Sequence, residues 1–292
     1  MRNAPSRDWI RSARPAEGIE ILTARFGGRA FAPHRHDTYA IGVTEHGVQG
    51  FDYRGAACIS MPGEVVILHP DELHDGRAGD ARGFGYAIVY VRPSLIAAAV
   101  EAITGRPRPL PFVPEPVARD ASLAATLRAA MQMASAPLAV DVLITALAEA
   151  LLRGEPSSRA LADRRPARLD TAALARARDF LDAECARTVR SEELEAATGL
   201  DRYALARQFR AACGTSPYRY ALMRRLDRAR NELGQGAGTL AAVAAETGFS
   251  DQAHMTRSFK AAYGITPGRY RTLREGRNAV PAGLLDGVAL AD

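Results

Sequence analysis

Hydrophobic and polar positions change their period several times along the 292 residues. Between residues 18 and 91, short runs rich in Ile, Val, Tyr and Phe (18–26, 38–45, 48–53, 64–68 and 84–91) are punctuated by Gly, Pro and Asp. Runs of this length between turn formers predict β-strands, and many short strands in succession predict a barrel or sandwich. Residues 105–117 hold five prolines and predict an irregular connection. From 120 to 152 the period becomes helical: Leu123, Leu127, Met131, Leu138, Val142, Leu143, Leu147, Leu151 and Leu152 recur at helical spacings, with Pro137 as a break. That pattern predicts two amphipathic helices whose apolar face closes the open end of the barrel, forms a dimer seam, or both. Residues 154–168 are polar and predict a linker, 170–275 predict short helices, and the tail after 276 has no clear pattern.

The helical third contains an internal repeat. Residues 194–220, LEAATGLDRYALARQFRAACGTSPYRY, align with residues 243–270, VAAETGFSDQAHMTRSFKAAYGITPGRY, with ten identities and one extra residue at the turn of the second copy. Each copy has an Ala-rich helix ending at a Gly (Gly199, Gly248) that can turn left-handed. A polar N-cap candidate follows, Asp201 or Ser250/Asp251. The next helix has an apolar face, Leu205 and Phe209 or Met255 and Phe259. A second Gly (Gly214, Gly264) stops that helix, and Pro217 or Pro267 opens another. This is the grammar of a helix-turn-helix, whose second helix enters the DNA major groove led by its N-terminal residues. The residues expected to be exposed to the groove are Arg202, Tyr203, Ala206 and Arg207 in the first copy and Asp251, Gln252, Ala253, His254 and Arg257 in the second. Arg can pair bidentately with guanine and Gln with adenine, whereas alanine reads at most a thymine methyl. One long helix from Pro217 to Leu233 is expected to connect the copies, with Arg224, Arg225, Arg228 and Arg230 on its surface. Two copies are too few for a protein-binding solenoid.

Charge changes the picture only in its placement. Residues 1–167 carry 19 Arg against 18 Asp and Glu, while 168–275 carry 18 Lys and Arg against 13 Asp and Glu. The basic excess therefore sits in the segment with the repeat, as expected of a segment that meets a polyanion. Three scattered cysteines offer neither a disulfide framework nor a zinc pattern, which favours a reducing compartment. No run approaches the ~20 apolar residues needed to span a bilayer, and no apolar run follows the N-terminal arginines as in a signal peptide. A cytoplasmic protein without a membrane partner is expected. No nucleophile elbow, phosphate-binding loop or zinc-protease motif occurs, so no catalytic residue is assigned.

With Met223–Leu233 (MRRLDRARNEL) and Thr247–Arg271 (TGFSDQAHMTRSFKAAYGITPGRYR), the chain resembles the AraC/XylS family of bacterial transcription regulators over about residues 170–273. The resemblance implies sequence-specific binding to double-stranded DNA, with RNA polymerase as a partner and activation rather than repression. It also implies that Phe209, Phe259 and the two Pro-x-x-Tyr elements are fold residues. The segments His34-Arg35-His36 and Pro70-Asp71-Glu72-Leu73-His74 resemble the cupin-like effector-binding domain of such regulators.

Three uses of these histidines stand beside one another: hydrogen bonding to a small molecule in the barrel mouth, structural roles, and metal ligation. Metal-binding cupins place a Glu beyond three or four intervening residues after the HxH pair, where this chain has Ala40 and Ile41. No metal or cofactor is therefore assigned, and His34, His36, Tyr39 and His74 are taken as effector-binding residues. Tyr39, Phe51, Tyr53, Phe84 and Tyr86 are candidates to line the barrel, and for each of them core packing is expected before ligand contact. The fold expected is α+β and multidomain: a cupin-like β-barrel (1–118), a helical dimerisation segment (119–153) giving a homodimer, a linker (154–169), an all-α double helix-turn-helix domain (170–275) and a tail (276–292). The competing reading is a metal-dependent cupin enzyme with an appended DNA-binding module.

Overall fold

The computed structural model describes residues 8–132, 137–156, 169–236 and 238–275. The tail from 276 and most of the expected linker, 157–168, lie outside the described residues. The N-terminal part runs β1 (Trp9–Ala16), β2 (Ile19–Phe26), β3 (Arg29–His34), β4 (Tyr39–Gly47), β5 (Gln49–Tyr53), β6 (Ala56–Ser60), β7 (Val65–Leu68), β8 (His74–Ala78) and β9 (Phe84–Val91). Helix α1 (Pro93–Thr104), the short β10 (Val117–Ala118), α2 (Ala121–Gln132) and α3 (Pro137–Gly154) follow. The C-terminal part is helical: α4 (Thr171–Ala183), α5 (Ser191–Thr198), α6 (Arg202–Cys213), α7 (Pro217–Gly234), α8 (Leu240–Glu246), α9 (Gln252–Tyr263) and α10 (Pro267–Glu275).

The strands form two antiparallel sheets, β1-β2-β9-β4-β7-β10 and β3-β8-β5-β6. Strand β9 is central to the larger sheet, paired with β2 from Ile19↔Val91 to Phe26↔Phe84 and with β4 from Tyr39↔Val91. Because side chains alternate along a strand, the larger sheet has two apolar faces. Leu22, Ala24, Phe26, Phe84, Tyr86 and Ile88 pack inward with Phe51 and Tyr53 of the smaller sheet. Ile21, Tyr39, Ile41, Val43, Val89 and Val91 pack outward under the helices. Burial on both faces explains why β4, β7 and β9 read as nearly continuous apolar runs.

The outward face settles what the helical leucines do. Leu123, Leu127, Leu143, Leu147 and Leu151 share one core with the outer face of the larger sheet and with Ile96 and Val100 of α1. They thus cover the sheet rather than standing free as a dimer seam, although Val142 stays 64% exposed. The side chains of Met131 and Leu138 lie outside the described residues.

The C-terminal helices divide unequally. Leu174, Leu181, Leu194, Leu205 and Phe209 of α4–α6 make a core of their own. In contrast, Met223, Leu226, Val243, Met255, Phe259 and Leu273 of α7–α10 belong to the same apolar cluster as Leu22, Phe26 and Phe84 of the sheets. The second helix-turn-helix is therefore docked on the β-domain.

The expected surface arginines of α7 are corrected accordingly. Arg224 and Arg230 turn into this junction, Arg225 donates to the carbonyls of Cys185 and Arg187, and only Arg228 of the four is exposed. A charge stripe on a helix looks the same in sequence whether water or a carboxylate faces it.

Candidate DNA-reading surface and effector cavity

Both copies of the repeat fold as the local signals dictate. Gly199 and Gly248 take φ of 74° and 80°, the left-handed region that glycine enters without steric cost. At Gly248 a side chain is excluded twice over, since a Cβ there would lie 2.0 Å from the Ala186 carbonyl oxygen. Asp201 caps α6 by accepting from the Tyr203 and Ala204 amides, and Asp251 caps α9 by accepting from the His254 amide. The inserted residue of the second copy sits in this turn, where the Ser250 hydroxyl reaches the Asp251 carboxylate and the His254 ring.

The capped helices bury Leu205, Phe209, Met255 and Phe259 and turn the opposite face outward. Arg202, Tyr203, Ala206, Arg207, Gln252, Ala253 and Arg257 are all exposed. Tyr203 is 73% exposed, with the Arg202 guanidinium 5.4 Å from its ring centre. His254 is half-buried, its ring edge-on to Phe249 at 5.3 Å. The connector α7 is one 18-residue helix, about 27 Å long at the usual rise.

A second feature lies at the junction. A cavity of about 540 Å³ is walled by Ile10, Leu22, Phe31 and Tyr90 of the β-domain and by Met223, Tyr263 and Ile265 of the helical domain, within the range of small-molecule sites. Buried charges run along it. Arg224 pairs with Asp37 of the β-domain and, at 3.1 Å, with Asp227. Asp227 also meets Arg230 at 3.2 Å and accepts from the Tyr263 hydroxyl at 3.0 Å. Arg230 pairs in turn with Glu20. Burial raises the Asp37 carboxyl from its ordinary value, and the Arg224 charge opposes that shift. The Nε atoms of Arg92, Arg224 and Arg230 are buried without a hydrogen-bond partner, and all three residues line the cavity.

Three of the four expected effector residues come together here. His34 and His36 line the cavity, and the His74 ring stands 4.2 Å from His34 and 4.8 Å from His36. Burial, with His74 adding to it, holds His34 and His36 well below the ordinary imidazole value, and burial brings His74 down to about 4. All three rings are therefore neutral at neutral pH.

Tyr39 is elsewhere: it belongs to the outward core, where its hydroxyl donates to the Pro111 carbonyl at 2.8 Å. One register step separates the two faces of β4, and Tyr39 falls on the helix-covered one. His69 is also buried. Its Nε2 accepts from the Val113 amide at 3.0 Å and its Nδ1 meets the Tyr53 hydroxyl. Nothing in the sequence singles out Glu20 or Asp37. The available signal for their partners is the three-residue spacing of Arg224, Asp227 and Arg230, which puts them on one helix face.

Residues 18–152 match the family described as AraC-like ligand binding domain, and residues 194–273 match a helix-turn-helix domain. A Bacillus subtilis protein described as the uncharacterized HTH-type transcriptional regulator YbfI is 31% identical over 242 residues, spanning 81% of this chain and 86% of that protein. The chain belongs to the AraC family of helix-turn-helix transcriptional regulators.

Two solved forms of ToxT from Vibrio cholerae share the fold of this AraC-family regulator. One gives a TM-score of 0.63 at 10% identity over 88% of this chain and 99% of that one, and a form bound to unsaturated fatty acid gives 0.59 at 11% over 90% and 98%. The ligand-binding match takes in α1–α3 as well as the sheets, in agreement with the core that these helices share with the larger sheet. Among the described residues, no helix is long and apolar enough to cross a membrane.

Proposed function

We propose that this AraC-family regulator reads DNA through α6 and α9 and is governed by a small carboxylate-bearing effector held in the junction cavity. The DNA-reading residues are Arg202, Tyr203, Ala206 and Arg207 in one half and Gln252, Ala253, His254 and Arg257 in the other. The observation that carries the effector assignment is the cavity wall itself, shared by the ligand-binding domain and the connector helix and carrying unpartnered guanidinium Nε groups among apolar side chains. Buried donors without partners are costly and are satisfied by an acceptor that arrives with a ligand. Two ToxT structures are described with such molecules, an unsaturated fatty acid and (E)-4-(8-methylnaphthalen-1-yl)but-3-enoic acid. The family resemblance adds activation through RNA polymerase and a homodimer, checked by run-off transcription and sedimentation.

Thermal shift with a series of aliphatic and aryl carboxylic acids and their methyl esters tests the effector class. Acids are expected to raise the melting temperature where esters do not, because specific binding must stabilise the folded state. The gain should be lost in Arg230→Met. Esters that stabilise as well as acids would overturn the carboxylate assignment.

A further inference from the structure

His34, His36 and His74 have an arrangement that their use as hydrogen-bond partners does not explain. One ring nitrogen from each lies within 4.8 Å of the others, and all three side chains are buried. The Nδ1 of each is held by a backbone carbonyl two residues away along the chain: Ala32 for His34 at 2.9 Å, Thr38 for His36 at 3.0 Å, and Glu72 for His74 at 2.9 Å. A carbonyl only accepts, so each Nδ1 carries the proton and each Nε2 keeps its lone pair. The His36 Nε2 is buried without any hydrogen-bond partner. Three neutral imidazoles with tautomer and orientation fixed from behind form the outer support found around metal-ligating histidines.

We propose that His34, His36 and His74 bind one divalent transition-metal ion through their Nε2 atoms. An all-imidazole set suits zinc, copper, iron or nickel and is a poor set for magnesium or calcium. The Glu expected after an HxH pair is not needed to complete it, because three histidines with an open position are themselves a known zinc set. Arg230 of α7, whose charge acts on His36, is already paired with Glu20 and Asp227.

The location gives the ion a consequence. Ligand atoms on a tetrahedral zinc stand about 3.4 Å apart for Zn–N bonds of about 2.1 Å, so binding draws the three rings together. His34 closes β3, and β3 is tied to the second helix-turn-helix. The Ala32 amide donates to the Gly264 carbonyl at 2.9 Å, and the Arg35 amide, just past the strand, donates to the Ala261 carbonyl at 3.2 Å. Gly264 is the C-cap of α9, and a Cβ there would stand 2.9 Å from the His34 Nδ1. Contraction of the triad therefore pulls on the end of a recognition helix. This link to DNA binding rests on the function proposed above, whereas metal binding itself does not.

The test uses the full chain, stripped of metal by chelation and titrated with Co²⁺ alone, without DNA or effector. One equivalent per chain is expected, with the visible absorption of a nitrogen-ligated ion and displacement by Zn²⁺. His36→Ala and His74→Ala should each weaken binding about 100-fold or more. Because a change at either buried ring also tests folding, the wild-type chain supplies a second reading: on adding Zn²⁺, nitrogen-15 spectra should shift the Nε2 signals of His34, His36 and His74 and leave His46, His69 and His254 in place. Shifts confined to those other three, or no stoichiometric binding, would overturn the site. A fluorescently labelled operator then checks the coupling, with a change of fivefold or more in affinity expected on metal loading. Metal binding with unchanged affinity would overturn the coupling while leaving the site. Failure of carboxylic acids to stabilise the protein would bear on the effector alone.

Discussion

Arg224→Met tests how firmly the connector helix is held by the β-domain. The substitution keeps most of the side-chain length and removes the charge. Arg224 is 5% exposed and Asp37 is 2% exposed, so the variant leaves a carboxylate buried in the junction with its counter-charge gone. Breaking such a pair from one side typically costs 3–5 kcal/mol. A ceiling comes from proton uptake: neutralising a carboxyl of ordinary pKa near 3.9 at about pH 7 takes about 4 kcal/mol at 1.36 kcal/mol per unit. A destabilisation of about 3–4 kcal/mol is therefore expected. Asp37→Asn should cost less, about 1–2 kcal/mol, because Arg224 keeps Asp227 at 3.1 Å. Asp37→Leu with Arg224→Met should recover most of the loss, since an ion pair replaced on both sides leaves no stranded charge. In Arg224→Met the Asp37 carboxyl is raised above its unfolded value, so its penalty is full at high pH and shrinks as pH falls and the group takes a proton. Urea unfolding followed by Trp9 fluorescence, which reports β1, and by far-ultraviolet circular dichroism measures both domains at once. Equal costs for the two single changes, or a loss below about 1 kcal/mol for Arg224→Met, would refute a buried clamp at this point.

Arg207→Ala and Arg257→Ala should each lose about 1–3 kcal/mol of specific DNA affinity with unchanged folding, as read by fluorescence anisotropy on the selected operator; undiminished affinity in both would mean that the exposed faces of α6 and α9 do not read bases. Gly248→Ala should be far more damaging than Gly199→Ala: both need a left-handed backbone costing about 1–2 kcal/mol, but only Gly248 would also drive a Cβ into the Ala186 carbonyl, while Gly199 has open space. Thermal unfolding of the two variants side by side checks this. His69, brought down to about 4 by burial, must stay neutral to accept from Val113. Its contribution is complete above the unfolded value of about 6.5, is lost as pH falls toward about 4, and totals about 3 kcal/mol. The slope of stability against pH in that window should drop by about one proton in His69→Leu, and an unchanged slope would remove His69 as its source.

The helix-turn-helix units were legible because everything that makes them is local. Gly199 and Gly248, Asp201 and Asp251, Pro217 and Pro267 act on backbone within a few residues of themselves, and the structure uses each as expected. The β-domain was only half legible. Strands β2, β4, β5, β7 and β9 carry apolar runs, but β3 (RAFAPH), β6 (AACIS) and β8 (HDGRA), the other strands of the smaller sheet, are mostly small or polar and show no clear alternation. Helix α1 also went unseen, although Pro93 at its start and Gly105 at its end are ordinary helix signals. The histidine triad is visible through the resemblance to a cupin-like domain, while Tyr39, offered there as an effector residue, follows the stronger expectation of core packing. Least visible was the junction. Arg224 and Arg230 meet partners 187 and 210 residues away in sequence, and no local pattern carries that information.

The same contacts change the meaning of the basic segment. Its excess charge suggested a polyanion, and part of that polyanion is the chain's own β-domain: Arg219 meets Asp71, Arg224 meets Asp37, Arg230 meets Glu20 and Arg269 meets Asp8. Arg219, Arg224 and Arg230 are withdrawn from solvent by these pairings while the domains are docked, whereas Arg202, Arg207, Arg257 and the paired Arg269 remain exposed. The β-domain also meets both recognition helices at one end. A Cβ at Gly214, the C-cap of α6, would lie 2.7 Å from Pro70, and one at Gly264, the C-cap of α9, would lie 2.7 Å from the Ala32 carbonyl. The C-terminal ends are thus gripped while the N-terminal halves, which lead into a groove, stay open. A ligand in the cavity therefore has no reading surface to unmask. It can act only by binding one relative placement of the two gripped helices better than another. A tenfold effect on DNA affinity requires a difference of about 1.4 kcal/mol between those placements, comparable to one hydrogen bond to a buried guanidinium.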